Sequence, residues 1–136
     1  MKLILKQTNP GNLPYISLYH GTNLYNFLVD TGSTSNWIDP KVMFNFMQEG
    51  ESRVGTRTLN GENYKTLIAT LRVEPRVYTE KDDTAYKFRA SFASGFLENL
   101  EQLNNNVNCK MHGILGMEFL QENGSDIDLK TLTMII

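Results

Sequence analysis

The residues of this chain with the clearest chemical potential are Asp30, Thr31, Gly32 and Ser33. They follow the apolar run Phe27-Leu28-Val29, so a carboxylate stands at the mouth of a small-residue turn directly after a strand-like segment. An aspartate beside Phe and Val is costly to bury unless it is hydrogen-bonded or shares a proton. The turn offers partners: the N–H groups around Gly32 and the Ser33 hydroxyl are expected to reach the carboxylate, and Gly32 admits a close backbone approach. A carboxylate held this way suits proton transfer to and from water. Taken alone, the Asp-Thr-Gly triplet also fits a surface turn in which Asp30 caps its own backbone.

The second informative stretch is His112-Gly113-Ile114-Leu115-Gly116-Met117-Glu118-Phe119-Leu120. An apolar pair between two glycines reads as a buried strand that bends closely past another backbone and then enters a short helix. It has no chemistry of its own. Other candidates are weaker. No Gly-x-Ser-x-Gly elbow is present, which argues against a serine hydrolase. His20 falls in a predicted turn and His112 beside a glycine bend, and neither is assigned a catalytic role. Trp37 reads as packing after the Asp turn, and Met43, Phe44, Phe46 and Met47 as core or dimer contact before substrate wall. Cys109 stands alone, which excludes an intramolecular disulfide, and reads as a buried small hydrophobe. One cysteine and two histidines show none of the usual zinc spacings, so neither metal nor cofactor is expected.

The elements that must position these residues are mostly strands. Tyr15–Tyr19 and Tyr25–Val29 flank His20-Gly21-Thr22-Asn23 as a hairpin. Pro40 opens a two-turn helix over Lys41–Gln48 that Gly50 ends. Val54–Leu59 and Tyr64–Val73 flank Asn60-Gly61, a pair suited to a two-residue hairpin turn. Thr79–Thr84 reads as an exposed loop leading to a strand over Ala85–Ala93, and Glu98–Asn108 as a surface excursion that is helical at its start. Ser125–Leu129 and Leu132–Ile136 bracket Lys130-Thr131 as a third hairpin. Short strands with regular turns and one or two short helices predict an all-β fold, a barrel or a sandwich.

The chain has 136 residues, 13 basic and 15 acidic, for a net charge of −2. That length predicts one domain over 1–136 with a proper core. The charge balance gives no electrostatic argument for nucleic acid or an anionic membrane as partner. Met1–Leu5 is too short for a signal-peptide core or a membrane span, so a cytoplasmic location is the default expectation.

The Asp30-Thr31-Gly32-Ser33 turn on an apolar strand, with Gly113-Ile114-Leu115-Gly116 some eighty residues later, resembles the retropepsin-like aspartic proteases, the single-domain family that includes the retroviral proteases. The similarity covers most of the chain in order. It implies a closed or partly open acid-protease barrel, with Asp30 as the catalytic aspartate and Thr31 as the residue that bonds across to its symmetry mate. Gly32 then corresponds to the close-approach glycine and Ser33 to the small or hydroxyl residue beside the carboxylate. Leu59, Asn60 and Gly61 fall at the flap that closes over substrate. Gly113, Ile114, Leu115 and Gly116 match the element packed behind the active-site turn, with Gly116–Gln121 as the following helix. Two segments depart from the smallest members: Pro40–Gly50 lengthens the route from turn to flap, and Glu98–Lys110 has no assigned counterpart.

Peptide hydrolysis by this chemistry needs one carboxylate to accept a proton and another to donate one. This chain carries one such turn and lacks the length for a second lobe. The resemblance therefore implies a two-fold homodimer acting on polypeptide. The apolar ends Met1–Leu5 and Leu132–Ile136 are unshielded strand candidates that would pair between subunits. A peptide-binding or assembly module without catalysis is the alternative, and a plain β-barrel with a chance Asp turn is a third reading.

Overall fold

The computed structural model describes residues 2–50, 52–73, 87–95 and 97–136. In chain order its elements are β1 (Lys2–Ile4), β2 (Lys6–Gln7), β3 (Pro14–His20), β4 (Asn23–Val29), β5 (Asn36–Ile38), α1 (Pro40–Glu49), β6 (Ser52–Leu59) and β7 (Glu62–Val73). They continue with β8 (Lys87–Ser94), α2 (Glu98–Asn104), β9 (Gly113–Leu115), α3 (Met117–Glu122), β10 (Asp126–Asp128) and β11 (Thr133–Ile135). The expected loop at 79–84 and the first two residues of the strand expected from Ala85 lie outside the described residues.

Six strands close into a barrel in the order β3-β4-β9-β5-β8-β7, and β7 returns to β3 through Leu18 opposite Val73 and Tyr19 opposite Arg72. Closure decides between the barrel and the sandwich that the strand pattern alone leaves open. β4 runs parallel to β9 and β5 parallel to β8, whereas the other barrel pairs are antiparallel. β2 and β6 extend the sheet beyond the ring at its two ends.

Period-two alternation fills the interior: Tyr25, Phe27 and Val29 of β4 are buried while Asn26 and Leu28 between them are partly exposed. Phe27 and Phe92 stack with centroids 5.5 Å apart, and Phe46 and Phe119 join them in the core. Burying each such ring contributes about 2–3 kcal/mol relative to leaving it exposed. A smaller cluster of Tyr15, Leu100 and Met111 fixes α2 against β3.

The turns follow their residues. Asn60 and Gly61 hold φ of 51° and 79°, the positive pair that a two-residue hairpin turn needs. At α1 the Asp39 carboxylate accepts from the Lys41 N–H at 2.8 Å, Pro40 opens the helix, and Gly50 ends it. That helix divides the methionine and phenylalanine cluster: Met43 and Phe46 enter the core, and Phe44 and Met47 face solvent. There are three short helices among the described residues, one more than the upper expectation, because Leu100 anchors α2 as a helix on the second cluster. α3 begins at Met117, one residue later than expected.

Two further expectations, for His20 and Cys109, are corrected. The two apolar ends pair with each other within the chain: β1 joins β11, and β11 lies between β1 and β10, which are the edge strands of a three-stranded sheet. Leu3 and Met134, opposite one another, are both buried, which is what draws the ends together within one chain. His20 is no turn residue. It ends β3, fully buried and stacked on Phe46 at 4.0 Å, with Nδ1 3.1 Å from Glu49. Cys109 is only half-buried, its Sγ 3.3 Å from the Tyr15 hydroxyl. No helix among the described residues is long and apolar enough to cross a membrane.

Candidate active site

β4 carries Asp30 to the rim of the barrel. Val29 is the last buried residue of the strand and pairs with Leu115, and Asp30 follows with its side chain exposed. The Asp30 N–H still donates to the Leu115 carbonyl at 3.0 Å, so the parallel ladder is carried one residue past the strand end. The carboxylate accepts from the Gly32 N–H at 2.8 Å, and the Ser33 N–H donates to the Asp30 carbonyl at 3.2 Å. The Ser33 hydroxyl does not reach the carboxylate as expected. It donates to the Ser35 carbonyl at 2.7 Å, because Ser33 is half-buried against the barrel and Asp30 points outward. Thr31 is exposed beside Asp30.

The Gly113–Gly116 element lies directly behind this turn. A Cβ on Gly113 would stand 2.6 Å from the Trp37 carbonyl, so the glycine is what allows β9 to slide past β5. The Ser33 carbonyl accepts from the Met117 N–H at 2.7 Å, and the Thr34 carbonyl from Glu118 at 3.0 Å, which fastens the turn to the first residues of α3.

Asn36 completes the support, and sequence reasoning missed it. It is fully buried, its Oδ1 accepts from the Gly116 and Phe119 N–H groups at 2.8 and 3.3 Å, and its Nδ2 donates to the Ser91 carbonyl at 3.1 Å. One side chain thus joins β5, β8, Gly116 and α3. Its signal was an asparagine next to the apolar pair Trp37-Ile38, a position where a polar group has to be satisfied. Asn36→Ala strands two donors and one acceptor in the interior and is expected to cost about 2–3 kcal/mol, read as a lowered denaturation midpoint.

An open cleft of about 410 Å³ adjoins the carboxylate, walled by Trp37 and Ile114 and, on the α2 side, by Leu97 and Leu100. Trp37 is therefore cleft wall as well as packing, with its ring edge-on to Tyr64 at 5.2 Å. α2, from the segment without an assigned counterpart, is held by Asn104, which donates to the Met111 carbonyl at 2.9 Å and accepts from the Met111 N–H at 2.7 Å. Leu59, Asn60 and Gly61 sit at the tip of the β6–β7 hairpin and do not line the cleft. The arm of that hairpin is tied to α3: Arg57 makes two bonds to Glu118, at 2.7 and 2.8 Å, and a third to Ser91 at 3.2 Å. Among the described residues no group of three His, Cys, Asp or Glu is placed to hold a metal.

His112 is structural. Its N–H donates to the Asn26 carbonyl at 2.8 Å and its Nδ1 accepts from the Asn26 N–H at 3.0 Å, which requires the ring to be neutral with its proton on Nε2. Burial and nearby Lys110 hold its pKa below the ordinary histidine value. The unfolded chain therefore binds this proton more readily. Stability is full above about pH 6.5, the unfolded histidine value, and is lost as pH falls through the lower folded value. The melting temperature is expected to decline over that acidic window, and His112→Asn, which cannot take the proton, is expected to flatten this part of the profile.

A retropepsin-like aspartic protease from Rickettsia conorii superposes with a TM-score of 0.57 at 14% identity, covering 98% of this chain and 90% of that one. The chain has a retropepsin-like fold. The retroviral protease-like domain of Ddi1 from Leishmania major agrees, with a TM-score of 0.53 at 15% identity and coverage of 91% and 87%. No family model and no curated protein sequence matches the chain. The retropepsin-like barrel thus persists here at a sequence distance where the likeness speaks for the fold.

Proposed function

We propose that this chain is an aspartic endopeptidase whose active site forms when the Asp30 turns of two copies meet on a two-fold axis. The observation that carries the reading is the exposed Asp30 carboxylate beside a cleft, oriented by the Gly32 N–H and braced from behind by Gly116 and Asn36. An exposed carboxylate suits an isolated Asp turn as well as a half-site. The support favours the half-site, since a solvent-facing turn needs no buried asparagine and no close-approach glycine to hold it rigid.

In the dimer, two carboxylates a few ångströms apart cannot both ionise, so they share one proton. The ionised one takes a proton from a water lying between them, and the oxygen of that water attacks the scissile carbonyl. The protonated one gives its proton to the carbonyl oxygen. Collapse of the resulting tetrahedral species with proton transfer to the departing nitrogen breaks the peptide bond. Thr31 bonds across the axis, and Leu59, Asn60 and Gly61 close over an extended polypeptide substrate. The reading uses neither a metal nor a covalent intermediate. Digestion of unstructured peptides over acidic to neutral pH, by the chain and by its Asp30→Asn variant, tests it.

A further inference from the structure

Away from Asp30, the outer face of the sheet over β7 carries a cationic groove. The register sets Arg53 of β6 opposite Ile68 of β7, Thr70 opposite Arg89 of β8, and Arg72 opposite Lys87. Residues two apart on a strand share a face, so Arg53, Ile68, Thr70, Lys87 and Arg89 project to one side. With Ser52 they line a groove of about 410 Å³. β6 and β8 flank it at roughly 10 Å, two strand spacings. Arg53, Lys87 and Arg89 are exposed, and none of the described residues lining the groove is acidic. Arg72 is engaged elsewhere, donating to the Gly21 carbonyl.

Three like charges around one hollow repel each other, and a bound anion would relieve this. The chain as a whole carries −2, so no long-range field gathers anions and any attraction is local to this cluster. Two more features define the occupant. Ile68 on the floor is 39% exposed and offers apolar contact between the cations. β6 ends the sheet, and among the described strands it pairs only with β7, so its outer backbone edge is open to an extended chain. A phosphate group would use the cations alone. An extended polypeptide with alternating acidic side chains would use the cations and the floor where it lies over β7, and the edge where it passes beyond β6.

We propose that this groove docks acidic stretches of polypeptide, at a site separate from the Asp30 cleft and independent of how Asp30 is read. The test is fluorescence anisotropy of a labelled, end-capped peptide of about a dozen residues alternating glutamate and threonine, titrated with the full chain. Binding is expected to weaken with added salt and to fall at least about tenfold in the Arg53→Glu/Arg89→Glu variant, with Lys87→Glu weakening it in parallel. Arg53→Lys/Arg89→Lys is expected to retain most of the affinity. All three positions are exposed, so an unchanged melting temperature accompanies the loss. No binding by the unmodified chain would overturn the proposal, as would equal binding by the charge-reversed variants or equal binding of the glutamine counterpart peptide. Tighter binding of a phosphopeptide or an oligonucleotide of matched charge would overturn the polypeptide carboxylate as its ligand.

Discussion

Asp30→Asn is expected to abolish peptide cleavage, by about 10⁴-fold or more, and to leave the fold in place. In the proposed dimer the one substitution removes both the acid and the base, and proton transfer by positioned groups contributes about 10²–10⁴-fold on its own. Asparagine keeps the shape of aspartate and an oxygen that can still accept from the Gly32 N–H, the one bond the carboxylate makes among the described residues. Asp30 is also exposed, so the stability change is expected to stay within about 0.5 kcal/mol. Cleavage rate and melting temperature measured on the same preparation separate loss of chemistry from loss of fold. Undiminished hydrolysis in the variant would remove the proposal, whatever the barrel resembles.

Gly116→Ala is expected to have the largest effect on stability of any substitution considered. An added Cβ would lie 2.4 Å from the Ser35 carbonyl oxygen and 2.5 Å from that of Ser33, and backbone has little room to yield. The φ of Gly116 is −97°, so alanine could adopt the backbone conformation, and the cost comes from crowding alone. Overpacking of this kind costs about 3 kcal/mol or more, roughly a 10 °C fall in melting temperature for a chain of this size. Both crowded carbonyls belong to the segment after Asp30, and both already have donors: the Ser35 oxygen accepts from the Ser33 hydroxyl and the Ser33 oxygen from the Met117 N–H. Any residual activity should therefore fall along with stability. Melting at the wild-type temperature would show that β9 and α3 do not press on the turn as described.

Local signals made much of this legible in the sequence. Asn60-Gly61 fixes its hairpin because few other pairs accept two positive φ angles. Asp39, Pro40 and Gly50 mark the two ends of α1. The two glycines around Ile114-Leu115 announce close backbone contact, and the contact proves to be with the segment that follows Asp30. What stayed hidden depends on partners far along the chain. Asn36 joins residues 55 to 83 positions away, and nothing in its neighbours specifies them. The pairing of β1 with β11 within the chain was also hidden, because an apolar strand does not encode which strand will cover it. Ser33 chose a carbonyl two residues on over a carboxylate three residues back, a choice between near-equal partners that only the packing of the turn decides. The cleft wall from α2 needed Leu100 to be placed against Tyr15 and Met111.

The two carboxylates that the proposed chemistry needs must come from two chains. A single dilution series, read both for molecular mass by sedimentation and for peptidase rate per chain, addresses that requirement most directly. The rate per chain is expected to follow the fraction of chain present as dimer, so that total activity varies as the square of concentration well below the dissociation constant. A rate per chain that holds constant down to concentrations where only monomer sediments would contradict it.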